Sequence, residues 1–188
     1  MSPGDVFRRI VEHLDRRDIG YMLVGSFAST YFGASRTTYD LDIVIEATPD
    51  QLRGLVADLN ADDYYVELDA ALDACRHESL FNVIDSATGW KIDLIFRKSR
   101  AFDHEEFRRR RAAKLYDIQL FVASAEDVII SKLEWAKLGG SQRQIEDVAK
   151  VLAAQWRTLD RVYLSKWIGE LELQELWSAA KRSAEVAD

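Results

Sequence analysis

The sequence predicts an α/β core that extends to about residue 122, followed by a helical C-terminal region. In the first part, short apolar runs bounded by turn residues indicate strands, and segments with apolar residues at helical spacing lie between them. From Ser141 onward the apolar residues recur at helical spacing throughout. We therefore expect two parts, an α/β core at residues 1–122 and a helical region at residues 123–188 that packs on it.

Helices and strands alternate in the first part of the chain. Pro3, after Ser2, suits the first position of a helix, and Val6, Ile10 and Leu14 give that helix an apolar stripe up to about residue 17. The elements predicted after it are a strand at 21–24, a short helix at 27–32 that Gly33 stops, a loop at 34–39, a strand at 40–46 and a helix capped by Thr48-Pro49.

Turn chemistry and spacing also predict the later elements. Residues 64–77 suggest a short strand and then a helical turn, and strands at 80–85 and 90–96 form a hairpin through Ser86-Ala87-Thr88-Gly89. After a strand at 118–122, Ser124 opens a capping box with Asp127 for a helix that extends to Gly139-Gly140, and three helical segments follow. Four tryptophans lie at helical spacing with leucines, which predicts a core or interface role rather than stacking on bases: Trp135, Trp156, Trp167 and Trp177.

The composition is that of a soluble globular protein, with 48% hydrophobic and 30% charged residues among 188. No apolar run approaches the ~20 residues that a membrane span needs, and the N-terminus lacks the apolar centre of a secretory signal. The single cysteine, Cys75, excludes an internal disulfide, and we expect it to serve packing rather than catalysis. These observations predict a cytoplasmic protein without a membrane partner.

The formal net charge of −7 argues against binding nucleic acid over the whole surface, but the charge is unevenly distributed. Residues 97–114 carry eight basic and three acidic side chains, a balance of +5, which leaves −12 for the remainder. We call the stretch from Arg97 to Lys114 the basic window. Its run 108–111 is more typical of a solvated helix face, and the functional alternative is contact with the phosphates of an RNA acceptor.

Three aspartates carry the chemistry that the sequence suggests. Asp40 and Asp42 alternate with Leu41 along a predicted strand, so both carboxylates lie on one face. Asp93 is the one acid in the apolar run 92–96, where an unpaired carboxylate costs several kcal/mol. Carboxylates held close together repel each other unless a cation lies between them, and oxygen ligands of this kind suit Mg²⁺. We expect the three acids to hold metal, with Lys91 on the same face as Asp93.

Gly25 and Ser26 form the expected phosphate-binding partner of this site. Glycine allows a phosphate to approach the backbone, and the amides at the start of the following helix are unpaired donors. The Ser26 hydroxyl adds a further contact. Arg36, in the loop before Asp40, is a candidate for reaching a phosphate, although an exposed loop arginine is often only solvated. Together these features describe a site for a nucleoside triphosphate.

Gly25-Ser26, then Asp40-Leu41-Asp42, then Asp93 on a later strand resemble the motif order of the nucleotidyltransferase superfamily, the polymerase-beta-like fold. Residues 124–137, followed by 143–147, further resemble the later motifs of AbiEii-type toxin nucleotidyltransferases and related bacterial proteins. The resemblance implies a mixed sheet flanked by helices with a C-terminal helical region. It also implies that Lys132 binds the triphosphate and that Asp147 belongs to the site.

The activity that the resemblance implies is a transfer of a nucleoside monophosphate from NTP to a hydroxyl acceptor, with two Mg²⁺ ions. The acceptor is an RNA end or a small molecule, as in antibiotic nucleotidyltransferases, and the toxin relatives imply a possible antitoxin partner. Other interpretations stay open: Lys91 as an edge-strand charge, Lys132 and Asp147 as surface residues of helices, and the whole fold as a binding module without activity. The chain is shorter than typical AbiEii-type toxins, which leaves the acceptor open.

Overall fold

The computed structural model describes residues 3–34 and 38–186. Its backbone separates into two compact units, and the second includes a short segment from the first part of the chain. Unit 1 comprises Met1–Val24 and Thr38–Val122, and unit 2 comprises Gly25–Thr37 and Ala123–Asp188. The sequence assigned residues 25–34 to the α/β core, whereas here they group with the helical region.

Unit 1 contains a mixed sheet in which the described residues form seven strands, in the order β3-β4-β5-β2-β1-β7-β6. β2 pairs parallel with β5, and β1 pairs parallel with β7, while the remaining neighbours are antiparallel. The strands are β1 (Gly20–Leu23), β2 (Asp40–Glu46), β3 (Tyr64–Tyr65), β4 (Leu80–Asp85), β5 (Lys91–Phe96), β6 (Arg111–Leu115) and β7 (Ile118–Val122). The predicted α/β class with a mixed sheet is thus confirmed.

One face of the central strands forms the core of unit 1. Leu41, Ile43 and Ile45 of β2 are at most 1% exposed, and Ile92 and Leu94 of β5 are fully buried. Because side chains alternate along a strand, the residues between them lie on the opposite face, which is less buried in β2. The strand pattern therefore separates an apolar core face from a second face that carries the acids, which we call the acidic face.

The described residues of unit 1 form four helices: α1 (Pro3–Arg16), α3 (Pro49–Asp58), α4 (Leu68–His77) and α5 (Ala101–Arg108). α1 buries the predicted stripe, since Ile10 and Leu14 are fully buried. At the start of α3, Thr48 and Gln51 form a reciprocal capping box, which fixes where the helix begins. These contacts confirm the two helices that the apolar spacing predicted.

Unit 2 consists of α2 (Gly25–Tyr31), α6 (Ala125–Gly139), α7 (Gln142–Gln155), α8 (Arg161–Glu170) and α9 (Gln174–Ser183). Ser124 caps α6 through its hydroxyl, which accepts from the Asp127 amide at 3.2 Å. The Asp127 carboxylate also accepts hydrogen bonds from the hydroxyls of Ser124 and Tyr163. Among the described helices, none is long and apolar enough to cross a membrane.

Several boundaries differ from the predictions. The 68–77 segment forms a ten-residue helix rather than a single turn, and the basic window contains α5 and the unpredicted strand β6. α2 begins at Gly25 instead of Phe27, so the Gly25-Ser26 pair lies within its first turn. Ser2 and Arg36 lie outside the described residues.

Candidate active site

The acidic face is built by the parallel pairing of β2 and β5. In this register Asp42 lies opposite Asp93, and Asp40 lies opposite Lys91. Registered residues on neighbouring strands project from the same face, and the strands are about 4.8 Å apart. The structure therefore brings together the three predicted acids and Lys91 on one face of unit 1, although Asp93 is 51 positions after Asp42 in the sequence.

Exposure varies across this group. Asp40 is exposed at the start of β2, Asp42 is half-buried, and Asp93 is only 8% exposed. A nearly buried carboxylate requires compensation, either from hydrogen bonds or from a positive charge. Asp93 is thus the member of the group whose neighbours matter most.

Both oxygens of Asp93 accept hydrogen bonds. Oδ2 accepts from the Lys91 ammonium at 2.9 Å, and Oδ1 accepts from the side-chain amide of Asn82 at 2.5 Å. The hydrogen bond to Asp93 raises the pKa of Lys91 above its usual value, and partial burial opposes this rise only in part. The negative charges of Asp93, Asp40 and Asp42 contribute to the same rise. Lys91 therefore stays protonated as the counter-charge of the acidic face.

Asn82 is the residue of this site that the sequence did not identify. It lies on β4 directly opposite Asp93 in the antiparallel hairpin, between the outward-facing Leu80 and Ile84. The only signal in the sequence was a polar residue in the alternating run of β4, placed by the turn at 86–89 across from the third acid. Only the register of the hairpin, in addition to the position of the strand, shows that Asn82 lies opposite Asp93.

The oxygen ligands of this face suit a hard divalent cation such as Mg²⁺. As the side chains stand, however, the described residues contain no group of three or more His, Cys, Asp or Glu side chains positioned to hold a metal ion. The Lys91 ammonium donates to Oδ2 of Asp93, where it supplies the positive charge that a cation would otherwise bring. The metal site predicted at Asp40, Asp42 and Asp93 stays a prediction, and metal binding there would require the ammonium of Lys91 to move away.

Lys132 and Asp147 are brought together in unit 2. The Lys132 ammonium, on α6, donates to the Asp147 carboxylate of α7 at 2.9 Å and to the Gln144 side-chain oxygen at 3.0 Å. Lys132 is 5% exposed and Asp147 is 2% exposed, so the pair is buried rather than on the helix surfaces. The ion pair offsets the cost of burying each charge and links the two helices. The triphosphate-binding role of Lys132 stays a prediction.

Gly25 and Ser26 form the first turn of α2. Gly25 has a φ of 62°, a left-handed conformation that glycine adopts without strain. The Ser26 side chain is mostly buried, and the Ser26 carbonyl accepts from the Ser29 hydroxyl at 2.9 Å. Their role in holding phosphate stays a prediction.

Local acids neutralise much of the basic window. Arg100 pairs with Asp103 at 2.6 Å, Arg108 with Glu105 at 2.6 Å, Arg97 with Glu46 at 2.7 Å and Lys114 with Asp117 at 2.9 Å. The Arg110 guanidinium lies 4.3 Å from the centre of the Phe107 ring. These pairings are typical of a solvated surface, which is the first of the two interpretations of this window.

Comparisons with solved structures agree with the mixed sheet and its flanking helices. No protein-family model and no curated protein matches the sequence. Among solved structures, ANT(2")-Ia in complex with adenylyl-2"-tobramycin is similar, with a TM-score of 0.60 at 12% identity over 91% of this chain and 97% of that chain. The lincosamide antibiotic adenylyltransferase LnuA, with lincomycin bound, has a TM-score of 0.53 at 11% identity over 80% of this chain and 96% of that chain.

A third similar structure is an antigenic nucleotidyltransferase-like protein from Paracoccidioides brasiliensis, with a TM-score of 0.52 at 16% identity over 92% of this chain and 89% of that chain. The chain has the nucleotidyltransferase fold. The fold that the motif order implied is thereby confirmed. The narrower resemblance to AbiEii-type toxins stays a prediction, because the similar structures named here are of other kinds.

Proposed function

We propose that this nucleotidyltransferase-fold protein is a Mg²⁺-dependent enzyme that transfers a nucleoside monophosphate from NTP to a hydroxyl group. The observation that supports the proposal is the register of β2 against β5, which places Asp42 and Asp93 side by side and Asp40 next to them. A sheet gains nothing in stability from three acids on one face, because like charges that lie close together repel each other. Such a grouping is typical of a site that binds cations.

In the proposed reaction the acceptor oxygen attacks the α-phosphorus of the NTP, and the bond to the bridging oxygen of the pyrophosphate breaks. Asp40, Asp42 and Asp93 would hold Mg²⁺, which when bound would neutralise charge on the phosphates and on the attacking oxygen. The carboxylate of Asp93 takes up the proton of the acceptor hydroxyl. Asn82 donates to Oδ1 of this carboxylate and thereby helps to orient it.

Lys91 has a different role in the proposal. Its ammonium neutralises Asp93 in the absence of a ligand, and it is half exposed, so it can move toward an incoming phosphate. Gly25, Ser26 and Lys132 are the further candidates for binding the triphosphate. For Lys132 that role would require exchange of its bond to Asp147 for a bond to phosphate.

We propose a small hydroxylated molecule, rather than an RNA end, as the acceptor. Ion pairs within the protein engage four of the eight cations in the basic window, Arg97, Arg100, Arg108 and Lys114, which weakens the window as a site for a phosphate backbone. ANT(2")-Ia, with adenylyl-2"-tobramycin, and LnuA, with lincomycin, are both similar in fold. A toxin activity with an antitoxin partner stays a prediction of the AbiEii resemblance.

A transfer assay with labelled NTPs tests the activity. The purified protein is incubated with each of the four labelled NTPs, Mg²⁺ and pools of either small hydroxylated compounds or total RNA. The expected result is label in a small-molecule product and release of pyrophosphate. Asp93→Asn, which keeps the shape of the side chain but not its charge, should lower the rate by at least about a thousandfold.

Asp103→Asn is the matched control, because Asp103 lies away from the acidic face in a surface ion pair with Arg100. Circular dichroism should show that both variants fold like the wild type. Undiminished transfer by Asp93→Asn would refute the proposed mechanism. If Mg²⁺ and the four NTPs neither raise the melting temperature nor give a binding signal by calorimetry, the fold acts as a non-catalytic module.

A further inference from the structure

Unit 2 contains an open cavity of about 470 Å³ between the end of α7, helix α8 and the start of α9. This volume lies within the range of about 300–1,000 Å³ that is typical of small-molecule sites. Leu164 and Ile168 of α8 form its apolar floor and are 1% and 4% exposed. All the lining residues belong to unit 2 and lie apart in sequence from the acids of β2 and β5.

Two tryptophans form an aromatic wall of the cavity. The ring centres of Trp156 and Trp177 are 6.2 Å apart, and the planes are inclined by 32°. Rings at this distance contact each other, so no third ring fits between them, and a ligand has to stack on a part of the pair that the Arg161 side chain over Trp156 does not cover. Both side chains are only half-buried, unlike Trp167, which is 4% exposed. The expected core role therefore describes Trp167 but leaves part of the other two rings accessible.

Arg161 supplies the positive charge of the cavity. Its guanidinium carbon lies 4.3 Å from the centre of the Trp156 ring, in a cation–π contact that holds the group against the ring. A stacked guanidinium keeps the N–H donors along its edge for a planar anion. In the part of the chain that the structure describes, no carboxylate lies within ion-pair distance of Arg161. Of the described lining residues, Arg161 is the only charged one.

We propose that this cavity, defined by Trp156, Arg161, Leu164, Ile168 and Trp177, binds a planar aromatic ligand that carries an anionic group. The ring stacks on the tryptophan wall above the apolar floor, and a carboxylate or phosphate accepts hydrogen bonds from the edge of Arg161. The hydroxyl of Ser165 and the amide of Gln174, which also line the cavity, provide neutral polar contacts. The site is separate from the proposed transfer reaction and does not depend on it.

Gly169 offers a way to block the cavity without disturbing the fold. A Cβ atom at this position would meet no atom within 4 Å, so the space next to it is open. Gly169 lies inside α8, where a residue with a side chain favours the helix more than glycine does. Gly169→Leu should therefore fill the cavity and keep or increase the stability of the protein.

Calorimetry with 2-naphthoate and its neutral analogue 2-naphthamide, in buffer with a metal chelator, tests the proposal. We expect saturable binding of 2-naphthoate and at least about tenfold weaker binding of 2-naphthamide. Arg161→Gln should remove this preference, and Gly169→Leu should abolish binding of both probes. Arg143→Gln, which removes an arginine of α7 that does not line the cavity, should bind like the wild type.

AMP serves as a third probe and distinguishes the two sources of an aromatic anion. AMP binding that Arg161→Gln and Gly169→Leu both weaken would support the site and identify its ligand as a nucleotide. Binding of 2-naphthoate without AMP would support the site and identify a smaller aromatic acid. No saturable binding of either probe up to about 5 mM, or binding that both variants leave unchanged, would overturn the proposal.

Discussion

Two hydrogen bonds orient the Asp93 carboxylate on the acidic face, and the one from Asn82 comes from a neutral side chain. The amide of Asn82 donates to Oδ1 of Asp93, while Lys91 engages Oδ2. Mutation of a residue that orients a metal-binding carboxylate typically lowers metal affinity or activity by 10–100-fold, although the residue itself does not touch the substrate. Asn82 is therefore a positioning residue in the proposed reaction.

Asn82→Ala should raise the Mg²⁺ concentration for half-maximal transfer by roughly tenfold. The Asn82 side chain is exposed on β4, so the melting temperature should change little. The Mg²⁺ dependence of the rate measures the effect, and Asn60→Ala, in an exposed turn, is the matched control. A lower maximal rate with an unchanged Mg²⁺ dependence would contradict the positioning role of Asn82.

His13 makes the stability of unit 1 sensitive to acid. Burial lowers the pKa of His13 below its usual value, and the charge of Arg16 lowers it further, although Asp58 and Glu12 act in the opposite direction. Within the described residues, His13 Nδ1 has no hydrogen-bond partner, and the ring lies edge-on to Tyr64 at 5.9 Å. The folded protein thus disfavours the charged form of this side chain.

The pH dependence follows from the sign of this shift. Because the unfolded chain takes up the proton at a higher pH, the free energy of unfolding should fall as the pH drops below about 6.5. His13→Gln should flatten this part of the profile, which urea unfolding at a series of pH values measures. His77→Gln on the exposed face of α4 should retain the slope. An identical slope in the His13 variant would show that other groups cause it.

At the scale of elements, α2 is connected to the following loop by a glycine that no other residue replaces easily. Gly33 has a φ of 111°, which side chains rarely adopt, and a Cβ atom there would lie 2.7 Å from the Cβ atom of Ala154 on α7. Gly33→Ala should therefore lower the free energy of unfolding by about 2–4 kcal/mol through strain and overlap. The double variant Gly33→Ala/Ala154→Gly should recover only the share of the lost stability that comes from overlap of the two Cβ atoms, and not the share that comes from backbone strain.

Gly139→Ala is the matched control for this prediction. Gly139 is the last residue of α6, and a Cβ atom there would meet nothing within 4 Å. Alanine favours a helix over glycine, so this variant should raise the free energy of unfolding by up to about 1 kcal/mol. Chemical denaturation measures both variants. If Gly33→Ala is as stable as the wild type, neither backbone strain nor overlap with Ala154 limits the residue at this position.

The elements that the sequence predicted well are those with strong periodicity. β2, β5 and β7 have alternating or continuous apolar patterns, α1 has an apolar stripe, and α3 has both a cap and an apolar stripe. β6 was missed because its sequence RAAKL buries only Ala113, so neither its charges nor its small residues give a strand signal. α4 was underestimated because alanines, Ala71 and Ala74, form much of its buried side. Alanine differs less in hydrophobicity from the polar residues around it than leucine does, so its burial gives only a weak apolar stripe in the sequence.

The residues of the site that the sequence predicted are those whose positions a single strand determines. Asp40 and Asp42 were placed by local alternation, and Asp93 by its isolation in an apolar strand. Asn82 depends on the register of a hairpin, and the bond of Lys132 to Asp147 joins two helices. Contacts of this kind are set by tertiary packing, which spacing within one element cannot specify.

At the scale of the whole molecule, the charge distribution bears on the acceptor. Because acidic neighbours engage several cations of the basic window, we expect RNA binding only at low ionic strength. Filter binding at about 0.15 M salt should show no retention of RNA by the wild-type protein. Replacing Asp103 by Asn and Glu105 by Gln would remove two of these ion pairs and should increase RNA retention. Tight RNA binding by the wild type at this salt concentration would instead favour the RNA acceptor.

The acids of β2 also favour the native register in the parallel pairing of β2 with β5. A shift of β2 by one residue would exchange its two faces, so that Asp40 and Asp42 would enter the apolar core while Leu41 and Ile43 became exposed. The burial of unpaired carboxylates makes such a misaligned sheet far less stable than the native one. The acids proposed for catalysis therefore also destabilise shifted registers of β2. If apolar residues replaced them, β2 could pair with β5 in more than one register.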